Sequence, residues 1–293
     1  MFRDELQLKI RKQEKQLQMK RKILLPTDFS DNAWSAAVYA LKLYTDEECS
    51  FYFLHALIIV GAPFEDLSNK LLKTMEEDAM NELLDLKALA ERGNANANHD
   101  FHIILSTKDL NTAIKDAIKK HDINLIIMGT KGATGAKEFF FGSNTVRVIN
   151  KANCPVLLIP EDYDFIEPKQ IAFPTDYNRF YDIKEIEPLV QLTNLYDSKI
   201  RIVHINEKEE LNDVQDYNLM ELQSHLNDYD YSLHWMPNYA KKVVEINDFI
   251  EELDIDILVM VNYKHSFIEK IVKEPVIKKI GFQSKIPFLV IPE

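Results

Sequence analysis

The sequence predicts an α/β protein made of two tandem copies of one domain, each built around a parallel β-sheet. The two copies open alike, because Arg21–Asp28 reads RKILLPTD and Lys169–Asp176 reads KQIAFPTD. They also close alike, with NCPVLLIP at Asn153–Pro160 and KIPFLVIP at Lys285–Pro292. Between these markers, apolar runs of strand length alternate with helical patterns, which is typical of right-handed βαβ crossovers in a parallel sheet.

The first copy can be followed element by element after its opening strand. Apolar residues three and four positions apart then indicate an amphipathic helix, with Ser30 or Asp31 as its candidate N-cap; they are Trp34, Ala37, Val38 and Leu41. The later elements are strands at 51–57, 101–105, 125–128 and 156–159, and helices at about 64–92, 109–120 and 144–150. Every predicted strand is thus separated from the next by a helix, as a parallel sheet requires.

The second copy repeats this order. Its elements are strands at 171–173, 200–205, 231–235, 257–261 and 288–291, and helices near 183–196, 211–227 and 243–253. We therefore predict two domains, residues 21–160 and 169–293, joined by a polar, proline-ended linker at 161–168. Residues 1–20 form a charged extension before the first domain.

Composition narrows the function classes. The chain of 293 residues has 46% hydrophobic and 28% charged residues and a net charge of −12, which suits a soluble protein and argues against nucleic acid as a general partner. No apolar run has the length of a membrane span, and the N-terminus has no apolar signal core, so we expect a cytoplasmic protein. Cys49 and Cys154 are predicted to be buried free thiols.

The N-terminal extension differs in charge from the rest of the chain. Residues 1–22 hold eight Lys or Arg against three acidic residues. A thin apolar stripe runs through it at Leu6, Ile10, Leu17 and Met19. Three roles stay open for the extension: a mobile arm, a partner-binding helix or a membrane-surface contact. The stripe is too narrow to favour the membrane contact.

Four of the seven glycines fall between Gly129 and Gly142, in the stretch MGTKGATGAKEFFFGSNT. This stretch follows a strand and leads into a short helix, an arrangement that can cradle an anion on free amides at a helix N-terminus. The P-loop string GxxxxGK[ST] and the dinucleotide string GxGxxG are both missing. A long structural turn is the alternative to a phosphate-binding loop.

The strings PTDFS, LHA and MGTKG…FGSNT resemble the universal stress protein family in its tandem two-domain form, from about Met19 onward. The family pattern G-2x-G-9x-G-[ST] is matched by Gly129, Gly132, Gly142 and Ser143. The resemblance implies doubly wound, Rossmann-like domains whose five parallel strands follow the order 3-2-1-4-5, with ATP at the carboxyl edge of the sheet. Ligands in open α/β sheets bind where the strand order reverses, which agrees with that position.

The resemblance also implies the residues that contact the nucleotide. The residues implied to border the adenosine are Pro26, Thr27 and Asp28, with Ala56 and Met128 lining the adenine pocket. The residues implied to hold the phosphates are Gly129, Gly132, Gly142, Ser143, Asn144 and Thr145. Mg²⁺ is expected to accompany the phosphates. For Asp28, a helix cap or an Asx-turn is the alternative role, and both roles can coexist.

The second domain departs from the family pattern. An offset of 132 residues, from Asn153 to Lys285, places Val261, Lys264, Glu274 and Pro275 at the positions of the three glycines and Ser143. Each change opposes phosphate binding there: Val261 has a branched side chain, Glu274 carries a negative charge, and Pro275 lacks an amide donor. Asp176 and His204 remain. We therefore expect one ATP site per chain, and a second domain that supports dimerisation or binds something else.

The sequence thus predicts an ATP-binding sensor or regulator of the stress response. Two alternatives stay open: a nucleotide hydrolase or adenylyl-transferring enzyme on the same scaffold, and a nucleotide-independent interaction module. The first is weakened because PTDFS stands where such enzymes have an SGGxDS-like loop, although weak hydrolysis is compatible with binding. No catalytic residue is identified.

Two further expectations concern assembly and metal ions. The family resemblance implies that the fifth strand of each domain lies at a dimer edge, and VLLIP and FLVIP are apolar runs that would leave exposed edges if unpaired. We therefore expect them to pair inside one chain, as a pseudo-dimer; further homodimerisation stays open. His99 and His102 lie three apart in a strand and therefore point to opposite faces, so we expect no metal site there.

Overall fold

Strands and helices alternate along a computed structural model that describes residues 20–57, 65–94, 96–130, 142–206, 210–237, 242–263 and 285–293. The elements of the first repeat are β1 (Arg21–Pro26), α1 (Asp31–Leu43), β2 (Cys49–Ala56), α2 (Glu65–Gly93), β3 (His99–Ser106), α3 (Leu110–His121), β4 (Leu125–Gly129), α4 (Ser143–Lys151) and β5 (Val156–Ile159). The elements of the second are β6 (Gln170–Pro174), α5 (Ile183–Tyr196), β7 (Lys199–Asn206), α6 (Asp213–Leu226), β8 (Tyr231–Pro237), α7 (Lys242–Glu252), β9 (Ile257–Asn262) and β10 (Phe288–Pro292).

The strand order confirms the predicted fold class. The first five strands follow the order 3-2-1-4-5 in sequence numbering. The strands of the second repeat lie in the order β10-β9-β6-β7-β8, which is the same arrangement. Within each repeat the described pairs are parallel. The parallel pairing agrees with the alternation of strands and helices in the sequence, and the strand order agrees with the family resemblance.

The chain forms two compact units, residues 1–26 with 44–125 and residues 27–43 with 126–293. In the first unit, β2 lies between β1 and β3, with Phe51 opposite both Ile23 and Phe101. Because both faces of a central parallel strand are covered, residues 49–54 are buried without alternation. Cys49 is buried in this run as a free thiol, as predicted, and burial raises its pKa to about 12.

In the second unit, β5 and β10 form an antiparallel pair, in which Leu157 lies opposite Leu289. This confirms the prediction that VLLIP and FLVIP pair inside one chain. All four residues of β5 are buried, and so are the first four of β10. The second predicted free thiol, Cys154, is also confirmed as buried.

Candidate functional site

The turn after β1 is held by its own side chains. Phe29 has a positive φ of 63°, a conformation that an aromatic residue rarely adopts. Its amide donates to Thr27 Oγ1 at 3.0 Å, and the Ser30 amide donates to Asp28 Oδ1 at 3.2 Å. Ser30 in turn caps α1, since its Oγ accepts from the Ala33 amide at 3.3 Å. Asp28 therefore forms the predicted Asx-turn, and its role towards a ligand stays a prediction.

The end of β4 and the start of α4 are tied together. The Gly142 amide donates to the Thr130 carbonyl at 2.8 Å, which closes the base of the glycine loop. The buried hydroxyl of Thr145 lies 3.2 Å from the same carbonyl and 3.4 Å from that of Gly129. Four residues match the family's glycine pattern. Of these, Gly129, Gly142 and Ser143 are thus brought close together, whereas Gly132 lies outside the described residues.

The N-terminus of α4 has no side-chain cap. Gly142 is its N-cap and offers no side-chain acceptor to the first amides of the helix. By contrast, α3, α5 and α6 are capped by the side chains of Asp109, Asp182 and Asn212. Ser143 and Asn144 are exposed. The unsatisfied amides and the helix dipole therefore leave α4 suited to bind an anion.

Gly129 has a packing role that the sequence did not reveal. A Cβ atom built on Gly129 would lie 2.5 Å from Asn32 Nδ2, which is too close for any real side chain. Asn32 is buried on α1 at only 7% exposure. The glycine at this position is thus needed for α1 to pack against β4, whatever it contributes to a ligand. Neither stretch of sequence, around Asn32 or around Gly129, carries a signal of this contact.

The other predicted residues lie at the carboxyl ends of strands. Pro26 ends β1 and is buried, and Ala56 ends β2 opposite Ser106 of β3. Met128 is the last residue but one of β4, 7% exposed and opposite Leu158 of β5. Strand carboxyl ends are where open α/β sheets bind ligands.

The equivalent turn of the second repeat has the same backbone but different surroundings. Tyr177 has a φ of 52°, its amide donates to Thr175 Oγ1 at 3.1 Å, and the Asn178 amide donates to Asp176 Oδ1 at 3.1 Å. His204 Nδ1 lies 3.1 Å from the Thr175 carbonyl. Val261 is buried in β9, whereas Lys264, Glu274 and Pro275 lie outside the described residues. The turn formed by Pro-Thr-Asp and the next two residues is therefore present in both repeats.

Two tyrosines, Tyr181 and Tyr263, contact this second turn, and the sequence did not predict them there. Tyr181 is 3% exposed and its hydroxyl lies 3.0 Å from Thr175 Oγ1. Burial raises the pKa of Tyr181 to about 12, and burial likewise raises the pKa of Tyr263. Both phenols stay protonated at neutral pH and can donate hydrogen bonds.

The histidines of β3 behave as structural residues. His99 is buried, with Nδ1 2.8 Å from Asn94 Oδ1 and Nε2 3.0 Å from the Tyr44 carbonyl. His102 is exposed on the opposite face, as the strand spacing predicted. Among the described residues, no group of three or more His, Cys, Asp or Glu side chains could hold a metal ion. No described helix is both long and apolar enough to cross a membrane.

Sequence comparison with known proteins finds relatives of the first repeat. The model of the universal stress protein family matches residues 19–160. Two universal stress proteins of Methanocaldococcus jannaschii are similar to the chain. One is 30% identical over 142 residues, which is 47% of this chain and 81% of that protein. The other is 27% identical over 158 residues, 48% of this chain and 95% of that protein.

Solved structures extend the likeness to both repeats. A universal stress protein from Archaeoglobus fulgidus superposes with a TM-score of 0.66, covering 92% of this chain and 98% of that one. Its sequence identity is 16%, so this likeness concerns the fold alone.

Proposed function

Because this chain belongs to the universal stress protein family, we propose that its first repeat binds ATP and that the protein acts as a nucleotide-responsive regulator. One site per chain is proposed, at the carboxyl ends of the strands of the first repeat. In this role ATP is bound as a signal, and slow hydrolysis of the bound ATP is compatible with it.

The observation that carries the proposal is the uncapped N-terminus of α4. Its first amides have no side-chain acceptor, and the preceding residue is a glycine bonded to the end of β4. Phosphate oxygens are the acceptors that such amides favour. The amides of Ser143, Asn144 and Thr145 are therefore proposed to bind phosphate, together with the backbone of the glycine loop.

The turn after β1 is proposed to meet the nucleoside. A carboxylate has two oxygens and several acceptor positions, so Asp28 can hold its turn and still accept from a ribose hydroxyl. Pro26, Thr27, Ala56 and Met128 are proposed to border the base and sugar, as the family resemblance implies. Any Mg²⁺ is proposed to bind through the triphosphate and water, since the described residues offer no metal-binding cluster.

A proline substitution tests the phosphate site. Proline is tolerated at the first helical position, but it removes one amide donor. Gly142 has φ −59° and ψ 153°, the extended conformation that a following proline favours, so Ser143→Pro should fold. Leu110→Pro is a matched control, because its N-cap Asp109 has the same φ and ψ and no residue of α3 is among those proposed to contact the nucleotide.

Calorimetric titration of ATP and Mg²⁺ into the nucleotide-free protein is the measurement. We expect about one site per chain, an affinity about tenfold lower in Ser143→Pro, and no change in Leu110→Pro. Two sites of similar affinity would show that the second repeat binds ATP as well. An absence of binding would contradict the proposal and leave a nucleotide-independent interaction module as the better account.

A further inference from the structure

The strand order of the second repeat reverses at β6, which pairs with β9 on one side and β7 on the other. Beyond the carboxyl ends of β6 and β9, an open α/β sheet has the crevice that binds ligands. In this repeat a hydrogen bond spans the crevice. The phenol of Tyr263, directly after β9, donates to Asp176 Oδ1, in the turn after β6, at 3.2 Å.

Arg179 covers the tyrosine of this bridge. Its guanidinium lies 4.7 Å from the ring centre of Tyr263 and 5.3 Å from that of Tyr181, within cation–π range of both. It also pairs with Glu185 at 2.5 Å and lies 3.8 Å from the carboxylate of Glu293. The position of Arg179 is therefore fixed from several sides, and its charge is balanced by carboxylates of the same repeat.

An insertion supplies these residues. Two residues, 29 and 30, separate Asp28 from α1 in the first repeat, whereas six residues, 177–182, separate Asp176 from α5 in the second. The longer connection contributes Arg179 and Tyr181. The shorter connection of the first repeat consists of Phe29 and Ser30 and has no counterpart of either residue. The difference in length thus falls at the crevice itself.

Helix α6 holds the same turn from its other side. Gln215 Nε2 donates to the Asp176 carbonyl at 2.9 Å, and Asn218 Nδ2 donates to the Tyr177 carbonyl at 2.8 Å. Both amides are buried, and buried polar groups of this kind are costly to separate from their partners. The ring of Tyr177 stacks on His204, with 4.9 Å between centres. The turn that would have to receive a ligand is therefore bound to protein groups on both sides.

We infer that Tyr263, Asp176, Arg179 and Tyr181, here named the Tyr263 latch, close the crevice of the second repeat and exclude nucleotide from it. The phenol of Tyr263 adds a second hydrogen bond to Asp176 Oδ1, which already accepts from the Asn178 amide, so a ligand hydroxyl at that oxygen would have to displace the phenol. The closure consists of contacts between residues of this chain. Only its consequence, one nucleotide per chain, rests on the proposed function.

Hydrogen–deuterium exchange of the ligand-free protein tests the closure. In Tyr263→Ala we expect the amides of Tyr177 and Asn178 to exchange about tenfold faster, because the hydrogen bond to Asp176 Oδ1 and the ring beneath Arg179 are both lost. Tyr263→Phe should show a smaller increase, since it keeps the ring beneath Arg179. Tyr231→Phe is the control: its hydroxyl accepts a hydrogen bond from Gln223 at 3.3 Å, outside the crevice. Unchanged exchange at 177–178 in Tyr263→Ala would overturn the inference.

A second arm separates this inference from the proposed function. When ATP and Mg²⁺ are added to the natural protein, we expect slower exchange in residues 142–148 and unchanged exchange in residues 174–182. Protection of 174–182 that survives Ser143→Pro would show nucleotide in the second crevice and overturn the latch. Protection of neither segment would contradict the proposed ATP site, while the ligand-free comparison would still decide the latch.

Discussion

Leu157 lies directly opposite Leu289 in the antiparallel pair of β5 and β10, and the two leucines hold the same position in the two repeats, 132 residues apart. Their neighbours pair crosswise, Val156 with Val290 and Leu158 with Phe288. A local twofold axis therefore passes between the two leucines. The contact is the intramolecular equivalent of an isologous interface, in which the same surface meets itself. It also removes two apolar strand edges from solvent.

The first prediction concerns this pair. Leu157 and Leu289 are 1% and 3% exposed, so Leu157→Ala or Leu289→Ala should lower the free energy of unfolding by about 2–5 kcal/mol. Directly opposite residues share one face of the sheet, so the double substitution should not be additive. Urea unfolding measures all three. Leu71→Ala, at a site 57% exposed, is the control and should change stability by less than about 0.5 kcal/mol.

Additive losses at Leu157 and Leu289 would mean that the two side chains do not share a packing environment. Each leucine would then stabilise the protein through its own packing, independently of the other.

The second prediction concerns Gly129 and Asn32. Gly129→Ala should destabilise the protein by about 1–3 kcal/mol, because its methyl group would overlap the Asn32 amide. Adding Asn32→Ala makes room for that methyl group, so the double variant should be more stable than the sum of the single losses predicts. Thermal unfolding of the three variants is the measurement. A double variant that shows only the sum would contradict the packing role of Gly129.

Much of the fold could be predicted from the sequence, because it depends on local hydrophobic periodicity and on the Pro-Thr-Asp opening that occurs twice. The openings RKILLPTD and KQIAFPTD predicted two equivalent turns, and the structure gives both the same positive-φ geometry at Phe29 and Tyr177. The pairing of VLLIP with FLVIP was predicted from the family resemblance together with the apolar character of the two strands. The strand order came from the family resemblance, since no local pattern determines which strands become neighbours.

The site was less predictable, because its contacts join residues far apart in the chain. Gly129 meets Asn32 across 97 positions, and neither neighbourhood signals the other. The insertion before α5 is visible as a longer connection, yet its contacts with Tyr263 depend on how β6 and β9 are paired. The glycine spacing alone favoured a ligand role for Gly129, where packing is an equally strong requirement.

The third prediction is a pH dependence of stability. Burial lowers the pKa of His99, His121 and His234 below the usual histidine value of about 6.5. As the pH falls below that value, the unfolded chain takes up protons that the folded chain does not, so stability is lost from about pH 6.5 downward. His99→Gln should make the loss shallower between about pH 7 and 5. The measurement is the free energy of unfolding by urea at a series of pH values.

The control for that series is Cys154→Ala. Burial raises the pKa of the Cys154 thiol to about 12, so this group does not titrate in the acidic range of the series. The variant should be less stable than the natural protein by a constant amount across the range. A His99→Gln curve parallel to that of Cys154→Ala would show that His99 contributes nothing to the pH dependence.

The last prediction separates the two roles of Asp28. Asparagine can accept the Ser30 amide as aspartate does, so Asp28→Asn should keep the turn and the melting temperature close to natural. The carboxylate charge is lost, and a hydrogen bond from a ribose hydroxyl to a charged acceptor is stronger than one to an amide. ATP affinity should therefore fall about tenfold, measured by calorimetry. Asp109→Asn, at the side-chain N-cap of α3, is the matched control and should leave affinity unchanged. Equal affinity in Asp28→Asn and the natural protein would restrict Asp28 to its turn.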